Sequence, residues 1–233
     1  MFFLLSKSLQ ISPRILKSHL KKSTSKTRCS LKYKCTQHAL APDPASQRRQ
    51  LADGYGKAGN VKEYLQLIDT HTSGARCDVT PLFANPVAFM QLVQDLSDPF
   101  VATPVDYVAG IDALGFILGT AVAMHLHKGF IPIRKEGKLP VDTVKKQFID
   151  YSGSRKTLEL RKGLIRESAK ILVIDEWMET GTQMQAAIEL IEQEKGIVAG
   201  IATINIDTNP ISQSLQEKYP CHAVWFDMAE KAK

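Results

Sequence analysis

The clearest pattern along the chain is a run of four apolar residues, Ile171 to Ile174, that ends in two acids, Asp175 and Glu176. An unbroken apolar run of this length is typical of a strand buried on both faces of a sheet, and it predicts a strand over residues 169–175. Shorter runs of the same kind predict further strands over residues 105–111, 130–134, 197–206 and 223–226.

Between these strands, apolar residues recur at helical spacing. They predict helices over residues 60–69, 86–96, 115–125 and 183–194. Strands that alternate with helices form a mainly parallel sheet covered on both faces. We therefore expect an α/β fold in which helices flank a mainly parallel sheet.

Residues 136–168 interrupt this alternation with a long polar segment. Within it, residues 157–160 are consistent with one strand of a hairpin. Long excursions from a compact domain commonly form lids over binding sites. The segment therefore predicts a flexible hood, or flap, over a site at the sheet.

Charge divides the chain into two parts. Residues 1–42 hold nine Lys or Arg and no acid, whereas the whole chain has a net charge of +6. The rest holds 21 basic residues against 24 acids, so its net charge is −3. We expect a basic, disordered leader over residues 1–45 and one domain over residues 46–233. A body of this charge argues against nucleic acid as a partner.

The leader has the features of an organelle transit peptide, because it is basic, rich in Ser and Thr and free of acids. A plain basic tail is the alternative. The four cysteines form no Cys-x-x-Cys pair, which argues against a zinc site or a disulfide framework. No apolar run is long enough for a membrane helix, so no membrane association is expected. We expect a cytoplasmic protein, or a mitochondrial or other organellar one if the leader directs import.

The segment after the buried strand has the chemistry of an anion site. Free backbone N–H groups at the start of a helix bind phosphate, and glycine allows its close approach. Thr180-Gly181-Thr182 supplies the glycine and two hydroxyl donors, and Asp175 and Glu176 suit the two hydroxyls of a ribose. A plain strand-to-helix turn capped by a threonine is the alternative.

The whole string from Ile171 to Gln183 resembles the phosphoribosyl-diphosphate signature of the type I phosphoribosyltransferases. Three further segments resemble the adenine branch of that family: residues 105–116 its diphosphate loop, residues 133–140 its Arg-Lys-x-Gly-Lys-Leu-Pro segment, and residues 78–82 its base-pocket segment. The resemblance runs from about residue 74 to residue 208.

The resemblance implies transfer of a phosphoribosyl group from phosphoribosyl diphosphate to adenine, with Mg²⁺ bound through the diphosphate and none held by the protein itself. The substrates are small molecules, and a homodimer is expected. The implied phosphoribosyl-diphosphate-binding residues are Asp175, Glu176, Glu179, Thr180, Gly181, Thr182, Gln183, Arg134, Lys135 and Lys138. The other implied residues are Asp112, Ala113, Leu114 and Gly115 in the diphosphate loop, Arg76, Cys77 and Asp78 in the base pocket, and Asp150 as the catalytic carboxylate of the hood.

Four departures from the family pattern bear on activity. Leu114 stands where the family has arginine, Glu179 where it has a small residue, and Gln183 where it has threonine. The base-pocket segment reads Arg76-Cys77-Asp78 where the family has aromatic-Arg-Asp. A relative with reduced activity, a non-catalytic binder of phosphoribosyl diphosphate or nucleotide, and a partner of an active paralogue therefore remain alternatives.

Overall fold

A computed structural model describes residues 62–73 and 77–225. The predicted leader, the boundary at residue 46, Asn60 at the start of the first predicted helix, and Arg76 of the base pocket lie outside the described residues. None of the helices within the described ranges is long and apolar enough to cross a membrane.

Seven strands and five α-helices make up the fold. The strands are β1 (Tyr107–Ile111), β2 (Gly129–Lys135), β3 (Thr143–Ile149), β4 (Arg155–Arg161), β5 (Lys170–Met178), β6 (Ile197–Ile206) and β7 (Cys221–Ala223). The helices are α1 (Thr80–Ala84), α2 (Pro86–Ser97), α3 (Leu114–His125), α4 (Thr182–Gln193) and α5 (Pro210–Lys218). Short 3₁₀ helices cover Glu63–Leu67 and Asp98–Phe100.

The strands form one sheet in the order β3-β4-β2-β1-β5-β6-β7. The five strands from β2 to β7 in this order are parallel, whereas β3 and β4 form an antiparallel hairpin. The predicted fold class, a mainly parallel sheet flanked by helices, is confirmed. The carboxyl ends of β1, β2 and β5 meet at one edge, where parallel sheets bind their ligands.

Both faces of the central strand β5 are buried, as its unbroken apolar run predicts. Ile171 and Val173 belong to one apolar cluster with the inner side of α4. Leu172 and Ile174 belong to a second cluster with α2 and α3 on the opposite face. The strand is thereby fixed in register, and the residues that follow it are held at the edge of the sheet.

The hood is an extension of the sheet rather than a separate loop. Its hairpin, β3 and β4, joins the edge of β2 through the pairs Arg134↔Glu159 and Lys135↔Leu158. Val144 and Phe148 of β3 are buried in the same cluster as α4. The base of the hood therefore belongs to the core, and the turn between its strands projects beyond it.

Several elements differ from the predicted pattern, among them the short helix α1, which was not predicted. The helix predicted over residues 60–69 is a single 3₁₀ segment, Glu63–Leu67. The last strand, expected at residues 223–226, lies earlier, at Cys221–Ala223. The helix α5 was not predicted, although Asn209 followed by proline is a strong helix-start signal. In α5 the Asn209 side chain accepts hydrogen bonds from the N–H groups of Ile211 and Ser212.

Candidate active site

A cavity of about 490 Å³ opens at the carboxyl edge of the sheet. It lies between the loop after β1, the end of β5, the start of α4 and the tip of the hood. Most of the predicted site residues line it: Cys77, Asp78, Asp112, Ala113, Leu114, Lys135, Asp150, Asp175, Glu176, Glu179, Thr180, Gly181, Thr182 and Gln183. Elements far apart in the chain thus converge on one site.

The loop from Glu179 to Thr182, here called the phosphate loop after its predicted ligand, turns through Gly181, whose φ of +78° lies in the left-handed region. A side chain at this position would also collide with α5, because its Cβ would lie 2.9 Å from the Ile211 Cγ2 atom and 3.2 Å from the Ser212 nitrogen. Glycine is therefore required twice, by backbone conformation and by packing. The first residues of α4, Thr182 to Met184, line the cavity, and the start of a helix is a place where an anion is stabilised.

The unpredicted helix α5 supports this loop from behind. The amide of Asn209 donates a hydrogen bond of 2.6 Å to the backbone carbonyl of Glu179, while its oxygen caps α5. The hydroxyl of Ser212 completes a capping box by accepting from the Asn209 N–H. One side chain thus ties the phosphate loop to the start of the next helix.

Two threonine hydroxyls connect the phosphate loop to the hood. The hydroxyl of Thr182 donates a 2.6 Å hydrogen bond to the carbonyl of Ile149, at the end of β3. The hydroxyl oxygens of Thr180 and Thr182 lie 2.8 Å apart. A phosphate that accepted a hydrogen bond from Thr182 would compete with the hood for the same proton.

The two acids after β5 have different environments. Asp175 is only 3% exposed, and its carboxylate accepts hydrogen bonds from the Glu176 N–H at 3.0 Å and the Gln183 amide at 3.0 Å. Burial raises the pKa of Asp175 well above its ordinary value, and the adjacent Glu176 charge raises it further. Glu176 is more exposed and lines the cavity, so it is the better placed acceptor for ribose hydroxyls.

Gln183, which was predicted to bind phosphate, thus donates a hydrogen bond to Asp175, one of the two acids predicted to bind the ribose. The family has threonine at this position, and the longer side chain of Gln183 reaches across the start of α4 to Asp175. Its role as a phosphate ligand stays a prediction, and its contact with Asp175 is a second function that the sequence did not reveal.

The diphosphate loop packs tightly against the acidic pair. A Cβ on Gly115 would lie 2.9 Å from the Ile174 carbonyl oxygen and 3.0 Å from the Asp175 carboxylate. Gly115 itself does not line the cavity, but Leu114 beside it does. Leu114 also packs against the apolar cluster of α2 and α3, so an apolar side chain stands where the family has a cation.

Of the three predicted cations, only Lys135 lines the cavity. The Arg134 guanidinium is held by the Lys138 carbonyl at 3.0 Å and stands 3.7 Å from the Asp112 carboxylate. Lys138 lies in the turn between β2 and β3, outside the cavity lining. The binding of a diphosphate by Arg134 and Lys138 stays a prediction.

A buried carboxylate that sequence reasoning missed fixes this turn. Glu159 of β4 is 2% exposed and accepts hydrogen bonds from the N–H groups of Lys138 and Leu139, at 2.7 and 2.8 Å. Burial raises the pKa of Glu159, but the N–H donors outweigh it and leave the pKa below its ordinary value. The only feature of the sequence that indicates its burial is its place between Leu158 and Leu160 on a strand.

At the tip of the hood, Asp150 faces the cavity but is already engaged. One carboxylate oxygen accepts from the Ser152 hydroxyl at 2.6 Å and from the N–H groups of Ser152 and Ser154. The other oxygen lies 3.9 Å from the Lys156 ammonium. The Ser152 hydroxyl contributes most to a pKa of Asp150 below its ordinary value. In this conformation the predicted catalytic carboxylate caps the hairpin turn as an anion.

Carboxylates dominate the charge of the cavity. Six acids line it, Asp78, Asp112, Asp150, Asp175, Glu176 and Glu179, against the two lysines Lys135 and Lys156. The Asp78 carboxylate is taken up locally, because it accepts hydrogen bonds from the N–H and hydroxyl of Thr80. A polyanionic ligand would therefore need accompanying cations to enter this site.

Comparison with known proteins shows which family the chain resembles. The model of a phosphoribosyl transferase domain matches residues 86–224, more than half of the chain. An adenine phosphoribosyltransferase of Dinoroseobacter shibae is 43% identical over 125 residues, which cover 54% of this chain and 69% of the relative. An adenine phosphoribosyltransferase of a Jannaschia species is 37% identical over 148 residues, or 62% of this chain and 82% of the relative.

Solved structures agree with the sequence comparison. The crystal structure of adenine phosphoribosyltransferase from Rhodothermus marinus superposes with a TM-score of 0.64 at 31% identity. The match covers 70% of this chain and 96% of that one. The described residues therefore share the fold of nearly the whole of that relative.

Proposed function

This chain belongs to the phosphoribosyltransferase family, and on that premise we propose that it transfers the phosphoribosyl group of phosphoribosyl diphosphate to adenine. The products are adenosine monophosphate and diphosphate, so the reaction salvages a free purine base. The observation that carries this proposal is the cavity in which the acidic pair Asp175–Glu176 and the helix-start loop through Gly181 stand side by side.

In this proposal each part of the cavity has a role. The N–H groups at the start of α4 hold the 5′-phosphate, and Glu176 accepts hydrogen bonds from the ribose hydroxyls. Lys135 faces the diphosphate as it leaves with its bonding electron pair. The anomeric carbon then carries developing positive charge, which the surrounding carboxylates stabilise. Adenine completes the reaction by forming a bond from a ring nitrogen to that carbon, and the proton that this nitrogen carried passes to a carboxylate of the cavity, the role that we assign to Asp150.

Magnesium fits this site as a companion of the substrate. Among the described residues, no group of three or more His, Cys, Asp or Glu side chains could hold a metal ion. Mg²⁺ keeps most of its water and binds phosphate oxygens readily, so the diphosphate is its expected ligand. When bound there it offsets the negative charge of the leaving group in a cavity lined by six acids.

The direct test measures diphosphate release by the purified full-length protein with phosphoribosyl diphosphate, Mg²⁺ and each common base in turn. Adenine is expected to give the highest kcat/KM. Asp175→Ala should abolish turnover, and an exposed acid outside the cavity, Glu217→Gln, should leave it unchanged. Absence of turnover with every base, from a protein that unfolds cooperatively, would contradict the proposal.

Three residues of the cavity favour a second candidate function, that of a binding protein without catalysis. The cavity has an apolar side chain at Leu114, and Asp150 and Gln183 are engaged within the protein. Calorimetry with phosphoribosyl diphosphate and with adenosine monophosphate separates the two functions. Tight binding of both ligands without turnover supports the second candidate, and binding of neither contradicts both.

We further propose a homodimer built through the outer side of α2 and α3. Four large apolar side chains stand exposed on these packed helices: Val87 (48%), Met90 (46%), Ile117 (43%) and Met124 (73%). Exposed apolar side chains on neighbouring helices are the kind of surface through which proteins associate. The location of the protein in the cell depends on the leader, and import of a fluorescent fusion to residues 1–45 tests it.

A further inference from the structure

The cavity contains one rigid aromatic surface on the main sheet. Trp177 follows the acidic pair directly on β5 and lines the cavity together with the base-pocket segment Cys77–Val79. The other two aromatic residues of the lining differ: Phe148 is buried under the hood, and Tyr151 at the hood tip is 61% exposed. The described part of the base-pocket segment offers no aromatic ring of its own.

Several contacts fix the indole of Trp177 in place. Its N–H donates a 3.1 Å hydrogen bond to the carboxylate of Asp207, which also accepts from the Asn205 amide at 2.8 Å. The ring of Trp225 meets it edge-on, with the ring centroids 5.3 Å apart and the planes at 71°. Because its polar atom is already bonded, the indole offers a ligand only its apolar surface.

The position of Trp177 relative to the ribose site decides what that surface can touch. Glu176, the accessible acid of the pair, precedes it on β5, and both side chains line the cavity although successive side chains of a strand point to opposite faces. In a nucleotide the base is bonded to the carbon next to the 2′-hydroxyl. A ribose held by Glu176 therefore places its base close to Trp177, Cys77 and Leu114, the last two of which pack against the same apolar cluster.

We propose that Trp177 is a base-binding residue of this site and holds a planar base by stacking it on its indole. The inference rests on the proposed function, since it assumes that the acidic pair holds a ribose. Stacking on an aromatic side chain contributes about 1–3 kcal/mol per base. A ring that is fixed before binding loses little conformational entropy when the base arrives.

Fluorescence offers a direct readout, because the chain has only two tryptophans. In Trp225→Phe, Trp177 is the sole tryptophan and keeps an aromatic neighbour. Adenosine monophosphate is expected to change its emission on binding, whereas ribose 5-phosphate, which has the same phosphate and diol but no base, should leave it nearly unchanged. Equal responses to the two ligands would overturn the inference.

Affinities give the second readout. Trp177→Leu should weaken adenosine monophosphate binding about 5- to 150-fold while the affinity for ribose 5-phosphate stays within about twofold. Trp177→Phe should recover most of the loss. The control variant Trp225→Phe should bind both ligands like the wild type.

The outcomes separate this inference from the proposed function. If the wild type binds adenosine monophosphate and Trp177→Leu binds it equally well, stacking is refuted and the proposed function stands. If Trp177→Leu loses both ligands to the same extent, the residue acts through the shape of the loop, and stacking is again refuted. If the wild type binds neither ligand, the inference and the proposed function fail together.

Discussion

At the scale of single residues, Asp175 combines deep burial with a neighbouring negative charge. Its raised pKa means that the folded protein retains a proton that the unfolded chain releases. Folding stability therefore falls as the pH rises from the ordinary aspartate value of 3.8 towards the raised folded value. The residue is retained at a cost to stability, which is common for groups that serve a site.

Replacing Asp175 by asparagine tests this directly. The variant should unfold at a higher temperature than the wild type at neutral pH, and the difference should shrink as the pH approaches 4, because the amide cannot ionise. The KM for phosphoribosyl diphosphate should rise several-fold, because an amide oxygen can accept only one of the two hydrogen bonds that the Asp175 carboxyl accepts from the Glu176 N–H and the Gln183 amide. Thermal unfolding between pH 4 and 8 checks the first effect, with Glu217→Gln as the control. A constant difference across this range would contradict it.

Leu114 makes a second prediction at the residue scale. Leu114→Arg should raise kcat/KM about 10- to 100-fold, because it places a cation at a cavity lined by six acids and facing a polyanionic leaving group. Leu114→Met keeps the apolar packing without the charge and should not change the rate. Steady-state assays of both variants decide the matter. If arginine gives no gain over methionine, the missing cation is not what limits the reaction.

The acids, the threonines and Gly181 were predictable because local order alone identifies them: a buried strand, two acids, then a glycine at a helix start. Gln183 was predicted to bind phosphate because of its place in the loop. Its actual partner, Asp175, lies eight residues away across the turn, and the hydrogen bond depends on the length and rotamer of the side chain. Patterns in sequence carry no such information.

At the scale of elements, α5 provides the least expected support for the site. Asn209→Ala removes both the cap of α5 and the hydrogen bond to the Glu179 carbonyl. It should lower the free energy of unfolding by about 1 kcal/mol and raise the KM for phosphoribosyl diphosphate several-fold. Denaturant unfolding and steady-state kinetics measure the two effects.

The chain contains a matched control for this experiment. Asn85 caps α2 in the same way, accepting from the N–H groups of Val87 and Ala88, and is likewise followed by proline. Asn85 does not line the cavity. Asn85→Ala should cost similar stability and leave the KM unchanged. If both variants alter the KM equally, the Asn209 contact has no specific role in the phosphate loop.

The central strands and α2, α3 and α4 were predictable because their apolar residues follow what burial requires: an unbroken run in β5, helical spacing in α2 and α4, and an almost wholly apolar sequence in α3. The hood was recognised as an excursion, but its union with the sheet was not. That union rests on two residue pairs between β2 and β4, separated by a long turn, and on Glu159, which a sequence presents as an ordinary strand acid. Long-range pairing of this kind is set by tertiary packing rather than local preference.

At the scale of the whole molecule, the exposed apolar side of α2 and α3 predicts association. Met124→Lys, at a residue 73% exposed, should shift the sedimentation of the protein from dimer towards monomer while its thermal unfolding changes little. Gln213→Lys, on the exposed side of α5, adds the same charge elsewhere and should leave the dimer intact. A wild-type protein that sediments as a monomer at micromolar concentration would contradict the homodimer.

The place of the hood in the sheet has one more consequence. Among the described residues, β3 pairs with β4 on one side only, so its other edge presents open backbone groups to other molecules. Exposed edges invite strands of neighbouring chains to add on, and charged side chains discourage it. Lys145, Lys146 and Gln147 stand exposed along the middle of β3. Charges at Lys145 and Lys146 are of the kind that discourages such addition, and we expect their replacement by apolar residues to favour edge-to-edge growth of the sheet into insoluble assemblies.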